Sequence, residues 1–286
     1  MTLLLTGATG KTGRYIAQSL SDRGVHARVL IRDSAAAAWV RALGMEPVIA
    51  DMADPSTLGA ALAGVEQALL LAANSPGQVP MEKGFIDAAV ASGVRRIVKY
   101  SAISAGGDED YRFARWHGEA ERHLFASGLD WSVVRPGYFM QNFLMSADSI
   151  RAEGRFYLPA CDEPVSLVDV RDAADVTVAC LLDRAQDGRI RTVTGAESLT
   201  MHEVAARMTR VLGRDIAYVP LPAQDFIAAM TGAGAPDWLA GGMVEFFAGA
   251  SRGTRDHLSG CVQRLLGREP VGLDRFLADH AGAFSP

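Results

Sequence analysis

Thr6-Gly7-Ala8-Thr9-Gly10-Lys11-Thr12-Gly13-Arg14 is the stretch on which the reading of this chain turns. The apolar triplet Leu3-Leu4-Leu5 precedes it, a stretch of helical character from Gly10 to Asp22 follows, and Ala27 to Ile31 then reads as a second strand. Three glycines in a G-x-x-G-x-x-G arrangement therefore fall where a strand turns into a helix. Each permits what a side chain would obstruct: Gly7 a tight turn, Gly10 the approach of a pyrophosphate to the backbone, and Gly13 close packing of helix on sheet. Free N–H groups and the positive end of the helix suit that anion. Gly7, Thr9, Gly10, Lys11, Thr12 and Gly13 are thus the expected dinucleotide-binding turn. Gly10-Lys11-Thr12 also imitates the end of a nucleoside-triphosphate loop. That loop needs a glycine five positions before Gly10, where Leu5 stands.

Working outward, the alternation continues with a strand from Pro47 to Ala50, a helix near Pro55 to Leu62, the apolar run Ala68 to Ala73, a helix leading to Ala91, and a strand from Ile97 to Tyr100. A helix from Tyr111 to Ala126 and a strand from Trp131 to Val134 follow. Buried runs without polar alternation imply a parallel sheet covered by helices on both faces. The expected class is α/β: a doubly wound, parallel, Rossmann-type sheet with a smaller C-terminal α/β cap. Residues 1–150 are read as the dinucleotide-binding domain, with a return segment around 165–190, and 151–286 mainly as a substrate-binding cap. From Gly154 to Pro164 the rhythm loosens, and Asp169 to Asp175 reads as an acidic helix entry. Further on, a strand at Arg191 to Val193, a helix from Met201 to Leu212 and a strand at Ile216 to Val219 are expected, and Thr231 to Pro236 is read as a mobile loop.

At 286 residues the chain is long for one core and short for two independent domains, which fits one main domain with an appendage. Its net charge of -5 is mild and no Lys/Arg run tracks a phosphate backbone, so direct nucleic-acid contact is not expected. No apolar run reaches the roughly 20 residues that span a bilayer, and the first residues lack the features of a leader peptide. A cytoplasmic protein is expected, without a membrane partner and with a homodimer as a compatible assembly. Cys161, Cys180 and Cys261 are widely separated and lack metal-ligand spacing, so neither a metal site nor a disulfide is expected.

In such folds an acidic residue at the end of the second strand binds the adenosine ribose. Here that strand ends Leu30-Ile31-Arg32-Asp33. A guanidinium at Arg32 suits a 2′-phosphate that a carboxylate would repel, so NADP(H) is favoured over NAD(H). The other reading makes Arg32 a solvated strand end and Asp33 the ribose ligand. Asp51, after the third strand, is placed near the adenine edge or else begins the turn Asp51-Met52-Ala53-Asp54.

Four features carry a family resemblance: the Gly7 to Gly13 turn, the strand end Val29 to Arg32, Trp116-His117-Gly118-Glu119-Ala120-Glu121, and Ser127-Gly128-Leu129 leading into Val134-Arg135-Pro136-Gly137-Tyr138-Phe139-Met140-Gln141-Asn142-Phe143. Together they resemble the NmrA-like family of atypical short-chain dehydrogenase/reductases. That resemblance implies either a reductase like the NADPH-dependent quinone and triphenylmethane dye reductases, or a nucleotide-sensing regulator that signals through a protein partner without turnover. Typical short-chain dehydrogenases carry Tyr-x-x-x-Lys on the helix after the fifth strand. Here Phe113 and His117 stand at those positions, and Tyr111-x-x-x-Arg115 has the period but is displaced by two residues. His117 is read as a proton donor titrating near neutrality, or as a residue that only fixes the nicotinamide ribose or caps a backbone carbonyl. Pro136 lies beyond a strand's carboxyl end, where such sheets place ligands. Tyr138, Phe139 and Phe143 are read as the lining of an aromatic mouth for a flat conjugated acceptor, with ordinary packing as the alternative. Asn142 orients a polar group or caps the next helix.

Overall fold

The computed structural model describes residues 2–107 and 110–285. In chain order the first elements are β1 (Leu3–Leu5), α1 (Lys11–Asp22), β2 (Ala27–Ile31), α2 (Ala37–Ala42), β3 (Glu46–Ile49), α3 (Leu58–Leu62), β4 (Gln67–Leu70), α4 (Gln78–Ala91), β5 (Arg96–Tyr100), α5 (Arg112–Ala126) and β6 (Asp130–Pro136). They are followed by β7 (Tyr138–Phe139), α6 (Ala147–Glu153), β8 (Arg155–Pro159), β9 (Val165–Val168), α7 (Val170–Leu182), β10 (Arg189–Val193) and β11 (Ser198–Leu199). The rest is α8 (Met201–Leu212), β12 (Ala217–Leu221), α9 (Ala223–Gly232), α10 (Asp237–Ala250), α11 (Cys261–Leu266), α12 (Leu273–Asp279) and α13 (Ala281–Phe284).

Two compact units emerge, one drawn from Met1–Asp108, Phe113–Arg135 and Ala173–Thr192, the other from Glu109–Arg112, Pro136–Asp172 and Val193–Pro286. The first carries a seven-stranded sheet in the order β10-β6-β5-β4-β1-β2-β3. From β3 to β6 every neighbouring pair is parallel. The chain winds outward from β1 to β3, then crosses to β4 on the other side of β1, and that reversal is the topological switch point at which doubly wound sheets bind ligands. This is the expected fold class.

The elements follow from their patterns. In α1 the buried residues Gly13, Ile16, Ala17 and Leu20 recur at helical spacing, so one stripe faces the sheet. Strands β1, β4 and β5 are buried at every position because helices cover both faces. On one face Leu4, Leu30, Leu70 and Ile97 pack with Leu58, Leu62, Phe85 and Ile86.

Arg96 in β5 is fully buried, and its guanidinium ties the sheet to the returning segment. It donates to Asp187 at 2.5 Å, Gln67 at 2.8 Å and Ser132 at 3.1 Å. It also meets the carbonyls of Cys180 at 2.7 Å and Leu181 at 3.2 Å, near the C-terminus of α7. A cation suits that negative helix end, and these carbonyls have no further helical turn to accept from.

The second unit has a three-stranded sheet in the order β11-β9-β7 and a parallel pair, β8 with β12. Helix α8 opens with a capping box in which Thr200 and Glu203 satisfy each other's backbone N–H groups. The loosened stretch from Gly154 to Pro164 is corrected here: five of its residues form β8, paired with a strand some 60 residues on. Phe156 and Leu158 are buried from it, and its closing Pro159 lies opposite Leu221. The supposed loop at Thr231 to Pro236 also shortens, since α9 runs through Gly232.

Replacing Arg96 by Met withdraws donors from the buried Gln67 amide oxygen and the helix-end carbonyls together, and leaves Arg184 as the remaining cation on Asp187. We expect a loss of about 3 kcal/mol or more in denaturant unfolding, the scale seen when one member of a buried charged network is removed. A loss below about 1 kcal/mol would show that water replaces the guanidinium there.

Candidate cofactor site

Two contacts build the turn after β1. Thr6 Oγ1 accepts from Leu71 N at 2.8 Å and lies 2.9 Å from the Leu71 carbonyl, joining the carboxyl ends of β1 and β4. Gly7 has φ +64°, and a Cβ there would meet the Leu71 carbonyl oxygen at 2.5 Å. A Cβ on Gly13 would lie 2.1 Å from the Gly7 carbonyl oxygen, so the first turn of α1 rests directly on the loop. Gly10 differs: it is exposed, and a Cβ there would approach only Gly7 O, at 3.3 Å. No side chain caps α1, and the bond from Arg14 N to Gly10 O at 3.0 Å is the first of its ladder. The preceding helical N–H groups thus face an open concavity that a side chain on Gly10 would fill, which fits a pyrophosphate. Thr9 and Lys11 are exposed at its rim and Thr12 is half-buried.

Arg32 and Asp51 follow β2 and β3, the strands next along the same edge. Arg32 is exposed and has no partner among the described residues. The neighbouring Asp33 accepts from Ala35 N at 2.9 Å and caps the short helical turn there. Asp51 likewise accepts from Ala53 N at 2.9 Å, the turn-forming use of its carboxylate. Arg14 completes this end: it donates to the Thr9 carbonyl at 3.1 Å and lies 4.7 Å over the Trp39 ring.

His117 on α5 is buried, 4% exposed, in a polar cluster that the sequence did not reveal. Its Nδ1 lies 3.1 Å from Gln78 Nε2 and 3.3 Å from Lys99 Nζ, and its Nε2 lies 3.1 Å from Asn74 Oδ1. Lys99 in turn pairs with Glu82 at 2.8 Å, both side chains fully buried. Burial, then the cations Lys99 and Arg135, hold the imidazole well below its ordinary range. The expectation that His117 titrates near neutrality is therefore corrected: the ring is neutral there. Burial raises the Glu82 carboxyl, against the opposing pull of Lys99. The one clue in the sequence was Lys99, a cation inside the apolar strand Ile97-Val98-Lys99-Tyr100. Beside this cluster Ser101 donates to Glu121 at 2.5 Å, and Glu121 pairs with Arg135.

Phe113 is buried against Trp116, with ring centroids 5.5 Å apart. Tyr111 precedes α5, so Tyr111 and Arg115 do not share a helix face, and the Tyr111 ring packs on Phe246 at 5.6 Å. In the second unit Pro136 is buried at the end of β6. Tyr138 and Phe143 are enclosed by one another and by Phe246, Phe247 and Phe156. Phe143 is only 1% exposed, so the aromatic-mouth expectation is corrected for this ring, which belongs to the packing. Burial raises the Tyr138 hydroxyl, which has Asn142 beside it. Asn142 caps no helix; it lies inside the 3-10 turn Met140–Ser146, while Phe139 remains half-buried.

A switch-point sheet with an open glycine turn defines a Rossmann-type nucleotide-binding protein. The NmrA-like family model matches residues 1–254, and the chain belongs to that family. It is 36% identical to an NAD(P)H azoreductase of Xenophilus azovorans over 99% of both chains. It is also 36% identical, over 99% of both, to a (4-alkanoyl-5-oxo-2,5-dihydrofuran-3-yl)methyl phosphate reductase of Streptomyces griseus. Among solved structures it superposes on an NADPH-dependent quinone oxidoreductase of Escherichia coli complexed with NADPH, with a TM-score of 0.87, 29% identity, and 98% of each chain covered.

Gly10→Val should abolish NADPH binding in calorimetry while the far-UV spectrum and unfolding midpoint stay near the parent's, because the side chain fills the concavity without striking the core. His117 yields a pH signature. Its folded pKa lies below the unfolded value of about 6.5, so the folded chain binds fewer protons and loses stability as pH falls below that point. The residue's share of the slope approaches about 1.4 kcal/mol per pH unit. Unfolding at pH 5 and pH 7 should show a smaller acid loss in His117→Gln than in the parent.

Proposed function

We propose that this protein is an NADPH-dependent reductase that passes hydride to quinone-like or other conjugated small-molecule acceptors. The observation that carries the reading is the exposed Arg32, without a partner among the described residues, on the same sheet edge as the open glycine turn. The turn holds the pyrophosphate on backbone N–H groups, and Arg32 takes the 2′-phosphate that separates NADPH from NADH. Asp33 and Asp51 are engaged by their own turns, which leaves the guanidinium to set the preference.

When bound, the dihydronicotinamide supplies a hydride; together with one proton from solvent this reduces a quinone to its hydroquinone. Protein groups orient the two rings and exclude water. The choice of acceptor follows from what this chain lacks at the usual position of the acid. Phe113 offers no proton, and His117 is enclosed in the buried cluster with its Nε2 3.1 Å from Asn74 Oδ1. Reduction of a simple ketone builds charge on one oxygen and calls for a positioned donor, whereas a quinone spreads that charge through its ring. The relatives named above reduce an azo compound, an unsaturated lactone phosphate and a quinone, all conjugated acceptors.

Arg32→Asp should reverse the nucleotide preference, costing NADPH roughly 1.5 to 3 kcal/mol, or about one to two decades in affinity. Equal NADPH affinity in mutant and parent would remove Arg32 from the site. Following NADPH absorbance with benzoquinones, naphthoquinones and aliphatic ketones should show quinones ahead by about two decades or more, the usual worth of a general acid. Faster turnover of ketones would overturn the mechanism. NADPH binding without turnover of any acceptor would favour the sensing role.

A further inference from the structure

Asn74 stands across the switch point from the glycine turn. It follows β4, in the same segment whose Leu71 packs against Gly7. Its carboxamide could face either way, oxygen or nitrogen inward, and the buried cluster decides. Lys99 Nζ, held by Glu82 at 2.8 Å, points at His117 Nδ1 from 3.3 Å. An ammonium only donates, so Nδ1 must accept, and the ring proton of the neutral imidazole must sit on Nε2. Gln78 Nε2 lies 3.1 Å from Nδ1 and 3.3 Å from Nε2, so it does not choose between the ring nitrogens, and Lys99 alone sets the tautomer. The Nε2–H then donates to Asn74 at 3.1 Å, which fixes Oδ1 inward and turns Nδ2 with its two hydrogens outward. Asn74 is half-buried, and Nδ2 has no partner among the described residues.

We propose that Asn74 donates to an oxygen in the nicotinamide half of the bound dinucleotide, and that Glu82, Lys99 and His117 are positioning residues that set the polarity of its amide. This rests on the nucleotide-binding reading above and names a contact within it. The glycine turn takes the pyrophosphate from the β1 side and Arg32 lies further along toward β3, so the segment after β4 is on the side left for the other half of the ligand. Loading that position with an outward donor costs two buried charges, an expense that a surface asparagine alone would not need. A reversed amide would present only an acceptor, which an acceptor-only phosphate or carboxamide oxygen repels.

Calorimetry with NADPH and with 2′,5′-ADP, which lacks the nicotinamide half, separates the claims. Asn74→Ala should raise the NADPH Kd about tenfold and leave the 2′,5′-ADP Kd unchanged, since one hydrogen bond is lost from only one ligand. Asn74→Asp, which offers a carboxylate outward, should weaken NADPH at least as much. Equal NADPH affinity in Asn74→Ala and parent overturns the inference, as does an equal loss for both ligands. If the parent binds neither ligand, the nucleotide reading itself fails instead. For the relay, nitrogen-15 spectra of the labelled parent should show His117 protonated on Nε2 alone, and a proton on Nδ1 overturns it. The paired change Glu82→Leu with Lys99→Met removes both charges together; it should weaken NADPH but not 2′,5′-ADP, and unchanged NADPH affinity in the folded variant also refutes the relay.

Discussion

The contact between Gly13 and the Gly7 carbonyl sets the position of everything functional in the first unit. With no Cβ at either residue, the first turn of α1 settles on the loop, and its free N–H groups face the end of β1. Any larger residue at Gly13 would put a Cβ 2.1 Å from the Gly7 carbonyl oxygen, and since the obstructing atoms are backbone the helix itself would have to move off the loop. The Thr6 hydroxyl completes the arrangement by holding β1 to β4 at the one place where the direction of winding reverses.

Strand β5 shows how the sheet pays for polar groups in a dry interior. Arg96 and Lys99 are three residues apart, so they leave the strand on opposite faces. Arg96 meets a carboxylate, two side-chain oxygens and helix-end carbonyls, every partner serving the fold. Lys99 meets Glu82 and His117, which leads to Asn74 and the exposed edge. The same strand thus anchors the architecture on one side and orients a surface amide on the other. The imidazole serves as the joint because burial beside a cation keeps it neutral, and a neutral ring has one donor and one acceptor.

The proposed transfer of hydride to a conjugated acceptor would place modest demands on this site. Rigid placement matters more than a proton donor when charge can spread over the acceptor, and the first unit offers a glycine turn seated on backbone and a fully buried ion pair. Phe113 and the committed His117 are consistent with that division of labour.

The amino-acid sequence by itself determined the doubly wound class, the glycine turn and the ends of β2 and β3, because these depend on local spacing: glycines at a strand-to-helix turn, continuous apolar runs and helical periodicity between them. Only the tertiary structure decided the rest. Strand β8 is short and bounded by Gly154 and Pro159, and although Phe156 and Tyr157 favour a strand, its partner β12 is remote in sequence, so only the pairing reveals it. Phe143 reads as well for a pocket wall as for a core, since burial depends on Tyr138 and Phe156 arriving from other elements. Asn74, Glu82, Lys99 and His117 come from a loop, a strand and two helices, and no spacing rule links them. Protonation and amide orientation follow from distances of about three ångströms between side chains, which exist only once the chain has folded.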